Sequence, residues 1–192
     1  MAGIVFLDRD GTLIRDTGYL SDPDRVEPIP GATEGLRQLA KNGFRLAVVS
    51  NQAGLARGKF TEFQQAAVHA RFVELFIGAG VHFDAVEYCP HHPEGTVDRY
   101  RRSCACRKPA TGMADRVLAR YSNSAAWSRW MVGDKLIDVE MGKRLGARTV
   151  LVATGYGPEA ILECAENGVH PDAYLPDINE AARWIISENR TP

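Results

Sequence analysis

The 192-residue chain has no apolar run approaching the roughly 18 residues that a membrane-crossing helix needs. It is also nearly without net charge. Its 23 Lys+Arg and 24 Asp+Glu leave a formal −1, which speaks against bulk binding to nucleic acid or to an anionic membrane. The segment Met1 to Asp10 has no basic stretch, and aspartates interrupt its apolar residues, so a secretory signal is not expected and the cytoplasm is the expected compartment. Internal repeats, low-complexity tracts and linkers are missing, and the length fits one domain over 1–192, with monomer as the default state. Cysteine is sparse: Cys89, Cys104, Cys106 and Cys164 are all there are. In a reducing compartment these do not make a disulfide framework, and the crowding of the first three within 18 residues suggests a metal instead.

What the sequence does contain is an alternation of strand and helix patterns. Short apolar runs occur at Ile4–Leu7, Phe44–Ser50, Phe83–Cys89, Arg129–Gly133 and Arg148–Ala153, with a shorter one at Asp172–Leu175. Helical patterns lie between them, from about Gly31 to Lys41, from Thr61-Glu62 to Gly78, over Met113–Tyr121, Leu136–Leu145 and Glu159–Asn167, and from Ile178 onward. Such alternation predicts an α/β fold with a doubly wound parallel sheet. Ligands of these sheets sit at the carboxyl ends of the strands, which singles out Asp8, Ser50, Cys89, Asp134 and Thr154. Segments 9–30 and 89–111 are too long to be simple connections, and long loops often carry function.

Five motifs stand at or near those strand ends. Asp8-Arg9-Asp10-Gly11-Thr12 places two carboxylates two residues apart, suited to a nucleophile with its acid, an acid–base pair or half of a hard-metal site. Gly11 permits a turn that lets both face one space. Ser50-Asn51-Gln52 offers a hydroxyl and amides to phosphoryl oxygens, although alone it reads as an ordinary cap. Lys108 supplies a compact positive charge and Arg107 a planar fork, whereas Arg99, Arg101 and Arg102 read as solvated loop charge. Asp134, after Gly133, is placed to join Asp8 and Asp10 around Mg²⁺, with Asp138 supporting a neighbour. Finally, Cys89-x-His91 and Cys104-x-Cys106 are two close pairs separated by a loop, the grammar of a closed four-coordinate zinc site, with His92 the rival to His91. A structural zinc there would fold a loop poor in apolar residues, over about 89–107, and fix the adjoining Arg107 and Lys108. Cys164 remains as a packed or incidental thiol.

Taken together, these segments resemble the four motifs of the haloacid dehalogenase superfamily, over nearly the whole chain. Within it the sequence is similar to the zinc-loop subgroup that holds the histidinol-phosphate and heptose-bisphosphate phosphatases. The heptose-acting branch is the nearer, through Gly18-Tyr19-Leu20, the Asn51-Gln52-Ala53-Gly54-Leu55-Ala56-Arg57-Gly58 run, Cys89-Pro90-His91-His92-Pro93 with Glu94-Gly95, and Gly133-Asp134-Lys135. Ser50 stands where the group often has Thr. The resemblance implies a Rossmann-like sheet with a zinc-loop insert and no large cap domain. It implies a Mg²⁺-dependent phosphatase that removes the C7 phosphate of a heptose 1,7-bisphosphate, a step in ADP-heptose and lipopolysaccharide core biosynthesis. Histidinol-phosphate phosphatase is the alternative, and DNA 3′-phosphatase a more distant one. Asp8 would be the nucleophile, Asp10 the acid and base, and Ser50 and Lys108 the phosphoryl stabilisers. Mg²⁺ would be held by Asp8, Asp10 and Asp134, and structural Zn²⁺ by Cys89, His91, Cys104 and Cys106. Substrate contacts would come from Asp16, Thr17, Gly18, Tyr19, Ser50, Asn51, Gln52, Ala53, Arg107, Lys108 and Lys135, with Arg107 reading the second phosphate. The partner is then a small sugar bisphosphate, with neither nucleic acid nor membrane.

Overall fold

The structure, a computed structural model, describes residues 3–189. Six strands form one parallel sheet: β1 (Gly3–Leu7), β2 (Phe44–Asn51), β3 (Ala85–Cys89), β4 (Ser128–Gly133), β5 (Arg148–Val152) and β6 (Ala173–Leu175). Their spatial order is β3-β2-β1-β4-β5-β6. The helices between them are α1 (Ala32–Lys41), α2 (Glu62–Gly78), α3 (Gly112–Leu118), α4 (Leu136–Arg144), α5 (Gly157–Glu166) and α6 (Ile178–Glu188). This is the doubly wound α/β arrangement the sequence predicts, and among the described residues there is no separate cap domain.

Strand alternation divides the core. Val5 and Leu7 of β1 pack on the α1, α2 and α6 side with Leu36, Phe72 and Ile185, whereas Ile4 and Phe6 pack on the other side with Met113, Val117 and Met141. Because both faces are covered, the central strands read as continuous apolar runs. A smaller cluster joins α4 and α5 and takes in Cys164, which is fully buried among Val139, Leu151 and Ala160. Among the described residues no helix is long and apolar enough to cross a membrane.

Local signals set the helix ends. Thr61 and Gln64 form a reciprocal capping box, with Gln64 N donating to Thr61 Oγ1 at 3.2 Å and Thr61 N to Gln64 Oε1 at 2.9 Å. β3 begins two residues later than its apolar run, because Phe83 packs against Phe72 and Phe76 and Asp84 turns back to accept from Leu46 N. Ten residues of turn separate Asn51 from α2, so the Ser50-Asn51-Gln52 amides do not stand at a helix N-terminus.

Register brings the strand ends together. Leu7 pairs with Val48 on one side and Val132 on the other, so Asp8, Ser50 and Asp134 emerge from three adjacent strands at one edge. The chain leaves β1 for β2 on one side and later enters β4 on the other, and the crevice at such a reversal is where these sheets bind ligands.

Candidate active site and metal centres

A cavity of about 320 Å³ opens at this edge. Its walls include Asp8, Asp10, Ser50, Asn51, Gln52, Ala53, Lys108 and Lys135, and from the 9–30 segment Asp16, Gly18 and Tyr19. Thus most of the predicted site converges, from stretches far apart in sequence. Two predicted contacts do not reach the wall. Thr17 is off it, and Arg107 points its Nη1 toward the His91 carbonyl at 3.4 Å. Of the 89–111 loop only Lys108 lines the cavity, whereas the 9–30 segment gives it Asp10, Asp16, Gly18, Tyr19 and Leu20.

Buried charge dominates the floor. Lys108 Nζ lies 2.8 Å from Asp8 Oδ1 and 2.6 Å from Asp138 Oδ1, all three side chains being almost wholly inaccessible. Burial alone would raise the Asp8 carboxyl, but Lys108 and Lys135 outweigh it and hold it below the ordinary carboxylate range. Burial likewise works against the Lys108 charge, and Asp138 and Asp8 reverse that, raising it. Asp138 also accepts from Lys135 N at 3.1 Å, capping α4. Lys135 Nζ is 3.2 Å from Asp16 Oδ2 and stands over the Tyr156 ring.

Asp134 is different. It is buried, and its Oδ2 accepts from Tyr156 N at 2.9 Å while its Oδ1 has no hydrogen-bond partner. Burial and then the nearby Asp8 push its carboxyl up to about 8. Gly11 (φ +85°) and Gly155 (φ +56°) close over it; a Cβ at either would come within 2.1 or 2.2 Å of Asp134 Oδ2. An orphaned buried carboxylate oxygen, with Asp8 and Asp138 oxygens within 4.8 Å, fits a hard cation such as Mg²⁺, whose binding would displace the proton.

Asp10 sits on the other wall. Arg9 Nη2 donates to both of its oxygens at 2.9 Å, and Gln52 Nε2 donates to Oδ2 at 2.7 Å. Arg9 is itself buried, lies over the Tyr88 ring at 5.3 Å, and Tyr88 meets His69 Nδ1 at 3.1 Å. Asn51 clamps the Lys108 backbone, accepting from its N at 3.0 Å and donating to its O at 3.2 Å. The Asn51 and Gln52 side chains are thus engaged by the protein itself. Sequence reasoning gave no role to Arg9 or to the cavity residues Phe60, Ile137 and Tyr156, and quoted Leu20 and Gly54 only for the resemblance. Tyr156, two residues beyond the Thr154 strand end, was within reach of the strand-end argument.

The second cluster is the thiol knuckle. Cys106 Sγ is 3.2 Å from Cys89 Sγ, 3.3 Å from Cys104 Sγ and 3.4 Å from His91 Nδ1, and no disulfide joins them. The four ligand atoms converge on one point, a donor set that fits tetrahedral Zn²⁺. His92 turns away, bonded to Arg57 and to Glu94 N.

Comparison with known proteins gives the class first. The family described as Haloacid dehalogenase-like hydrolase matches residues 5–75, and that described as HAD-hydrolase-like matches residues 105–181. The L-2-haloacid dehalogenase of Xanthobacter autotrophicus shares the fold at 16% identity (TM-score 0.59). The chain belongs to the haloacid dehalogenase-like hydrolases, in the branch of the D-glycero-D-manno-heptose-1,7-bisphosphate 7-phosphatases. It is 44% identical over 185 residues to the D-glycero-beta-D-manno-heptose-1,7-bisphosphate 7-phosphatase of Escherichia coli (strain K12), across 95% of this chain and 87% of that one. Its identity to the Chlorobaculum tepidum D-glycero-D-manno-heptose-1,7-bisphosphate 7-phosphatase is 36%, across 96% and 94%. The D,D-heptose 1,7-bisphosphate phosphatase of B. bronchiseptica, complexed with magnesium and phosphate, superposes at TM-score 0.82 with 29% identity, across 97% and 99%.

Proposed function

We propose that this chain, acting as one domain and as a cytoplasmic monomer, hydrolyses the C7 phosphate of D-glycero-D-manno-heptose 1,7-bisphosphate. The product would serve ADP-heptose and lipopolysaccharide core assembly. One observation carries most weight: a buried carboxylate, Asp8, faces a 320 Å³ cavity with the Lys108 ammonium 2.8 Å away, in a chain 44% identical to such phosphatases.

Asp8 is the nucleophile. Its carboxylate attacks the C7 phosphorus in line, a new P–O bond forms and the bond to the sugar oxygen breaks. Asp10 gives the leaving oxygen a proton. It then takes one from the water that attacks the aspartyl phosphate, since that water occupies the place the sugar left. Lys108 and the Ser50 hydroxyl stabilise the equatorial oxygens, and the chemistry asks for little beyond such positioning and charge. Asp8, Asp134 and the Asp10 backbone carbonyl would hold Mg²⁺, which supplies charge to offset repulsion between nucleophile and dianion. Cys89, His91, Cys104 and Cys106 would hold a structural Zn²⁺ that orders the loop carrying Arg107 and Lys108. Asp16, Gly18, Tyr19, Ala53 and Lys135 shape the sugar site. Arg107 reads the C1 phosphate by swinging its fork from the His91 carbonyl into the mouth of the cavity.

Steady-state kinetics on both C1 anomers, on histidinol phosphate and on a 3′-phosphorylated oligonucleotide test the assignment. The expected kcat/KM is at least about 10²-fold higher on one heptose bisphosphate anomer than on histidinol phosphate. Faster turnover of histidinol phosphate, or strongly salt-dependent turnover of the oligonucleotide, rejects it. Arg107→Ala should lose far more activity on the bisphosphate than on an aryl phosphate.

A further inference from the structure

We infer that Gln52 is a positioning residue that aims two reacting-site side chains at once, and that its amide N–H groups do not serve the sugar. The inference rests on the phosphatase reading above. Gln52 is only 5% exposed. Its Nε2 lies 2.7 Å from Asp10 Oδ2 and 3.0 Å from Ser50 Oγ. Asp10 Oδ2, which also accepts from Arg9 Nη2 at 2.9 Å, is met by the NH₂ end of the amide. A side-chain amide has two N–H donors, and here each has a protein acceptor. The residue is anchored independently by its backbone, Gln52 N donating to Cys89 O at 2.8 Å.

Two consequences follow from the direction of these bonds. Ser50 Oγ receives a hydrogen from Gln52, so its own O–H stays available to donate. A hydroxyl that must donate to a phosphoryl oxygen needs just that polarity. Asp10 is held on one side by Arg9, which is anchored over the Tyr88 ring of β3 and makes no hydrogen bond to Ser50 that would tie the two groups together. Gln52, at the end of β2, is the side chain that bonds both the Asp10 carboxylate and Ser50. One amide thereby couples the acid–base group to the phosphoryl contact, and a misplacement of about 1 Å at such groups can cost about 10²-fold in rate.

The test separates positioning from substrate contact. Gln52→Met keeps the shape without donors, and Gln52→Glu keeps the shape but presents acceptors to both partners. Each is made in the active chain and in an Asp8→Asn background, which permits binding without turnover. The expected result is a kcat on heptose 1,7-bisphosphate lower by about 10²-fold. Calorimetric Kd for the same bisphosphate in the Asp8→Asn background should change by less than about threefold. Adding Ser50→Ala to Gln52→Met should cost less than the product of the two single effects. An unchanged kcat, or a Kd weakened by about tenfold or more with kcat little altered, overturns the proposal. A wild-type chain inert on the bisphosphate overturns the phosphatase reading itself, and that is seen before any Gln52 variant is measured.

Discussion

At the amino end of the strands, Arg148 is held between Trp130 and Trp184, 4.8 and 4.7 Å from their ring centres, with Glu188 2.7 Å away. Arg45 lies over Tyr121 at 4.5 Å and pairs with Asp84. Asp172 accepts from Thr149 N, Thr149 Oγ1 and Lys143 Nζ, each at 2.7 Å. At the carboxyl end, three carboxylates, Asp8, Asp134 and Asp138, share the nearby ammoniums of Lys108 and Lys135, and Asp134 Oδ1 has no partner. Charge is closed off at one end of the sheet and left in surplus at the other. The surplus group is the buried Asp134 carboxyl, which burial and Asp8 push up to about 8, so near neutral pH it holds a proton that a cation would displace.

Five substitutions probe this division, and the largest effect belongs to the surplus end. Asp8→Asn should lose about 10⁴-fold or more in turnover while the circular dichroism spectrum stays unchanged. Retention of a few per cent activity in a deamidation-free preparation would remove Asp8 as nucleophile. Lys108→Met should lower kcat by about 10²- to 10³-fold and, because it strands two buried carboxylates, cost about 3–5 kcal/mol in urea unfolding. Cys106→Ser should abolish co-purified zinc, expected at about one per chain, and lower both Tm and activity. A metal-free chain that is folded and fully active would show the knuckle to be dispensable.

The closed end should answer in stability alone. Asp172→Asn should cost about 2 kcal/mol at neutral pH with kcat unaltered. Burial alone would raise the Asp172 carboxyl, but Lys143 and Thr149 outweigh it and hold it below its ordinary 3.8. The folded form therefore releases its proton more readily than the unfolded one. The stabilisation is full above about pH 3.8 and fades as pH falls through the folded value, where variant and wild type should converge. Arg148→Ala should cost about 1 kcal/mol, the scale of exposed cation–π contacts. A kcat lowered by this last change as much as by Lys108→Met would break the comparison outright.

Much of the site was legible before the fold was known, because strand-end position and residue type travel together. Asp8, Ser50, Cys89 and Asp134 each end an apolar run, and each reaches the working edge. His91 is the favoured fourth ligand over its rival His92, and the thiols meet His91 Nδ1 while His92 bonds Arg57. Elsewhere the pattern gave residue and place but not purpose. Asn51 and Gln52 read as phosphate-facing amides, yet their hydrogen bonds go to Lys108, Asp10 and Ser50. Arg107 read as a cavity residue, yet its guanidinium lies toward the His91 carbonyl.

The sheet is written in the sequence, because continuous apolar runs alternating with helical patterns call for parallel strands covered on both faces. It also carries the chemical inventory: three carboxylates at strand ends, a lysine after a thiol loop, and a glycine whose turn lets Asp8 and Asp10 face one space. Folding settles which groups answer which. Asp10 and Gln52 are 42 residues apart, and Asn51 and Lys108 are 57 apart. Hydrogen bonds and ion pairs act over about 3 Å and favour whichever partner packing delivers, so no spacing along the chain could have named these pairs.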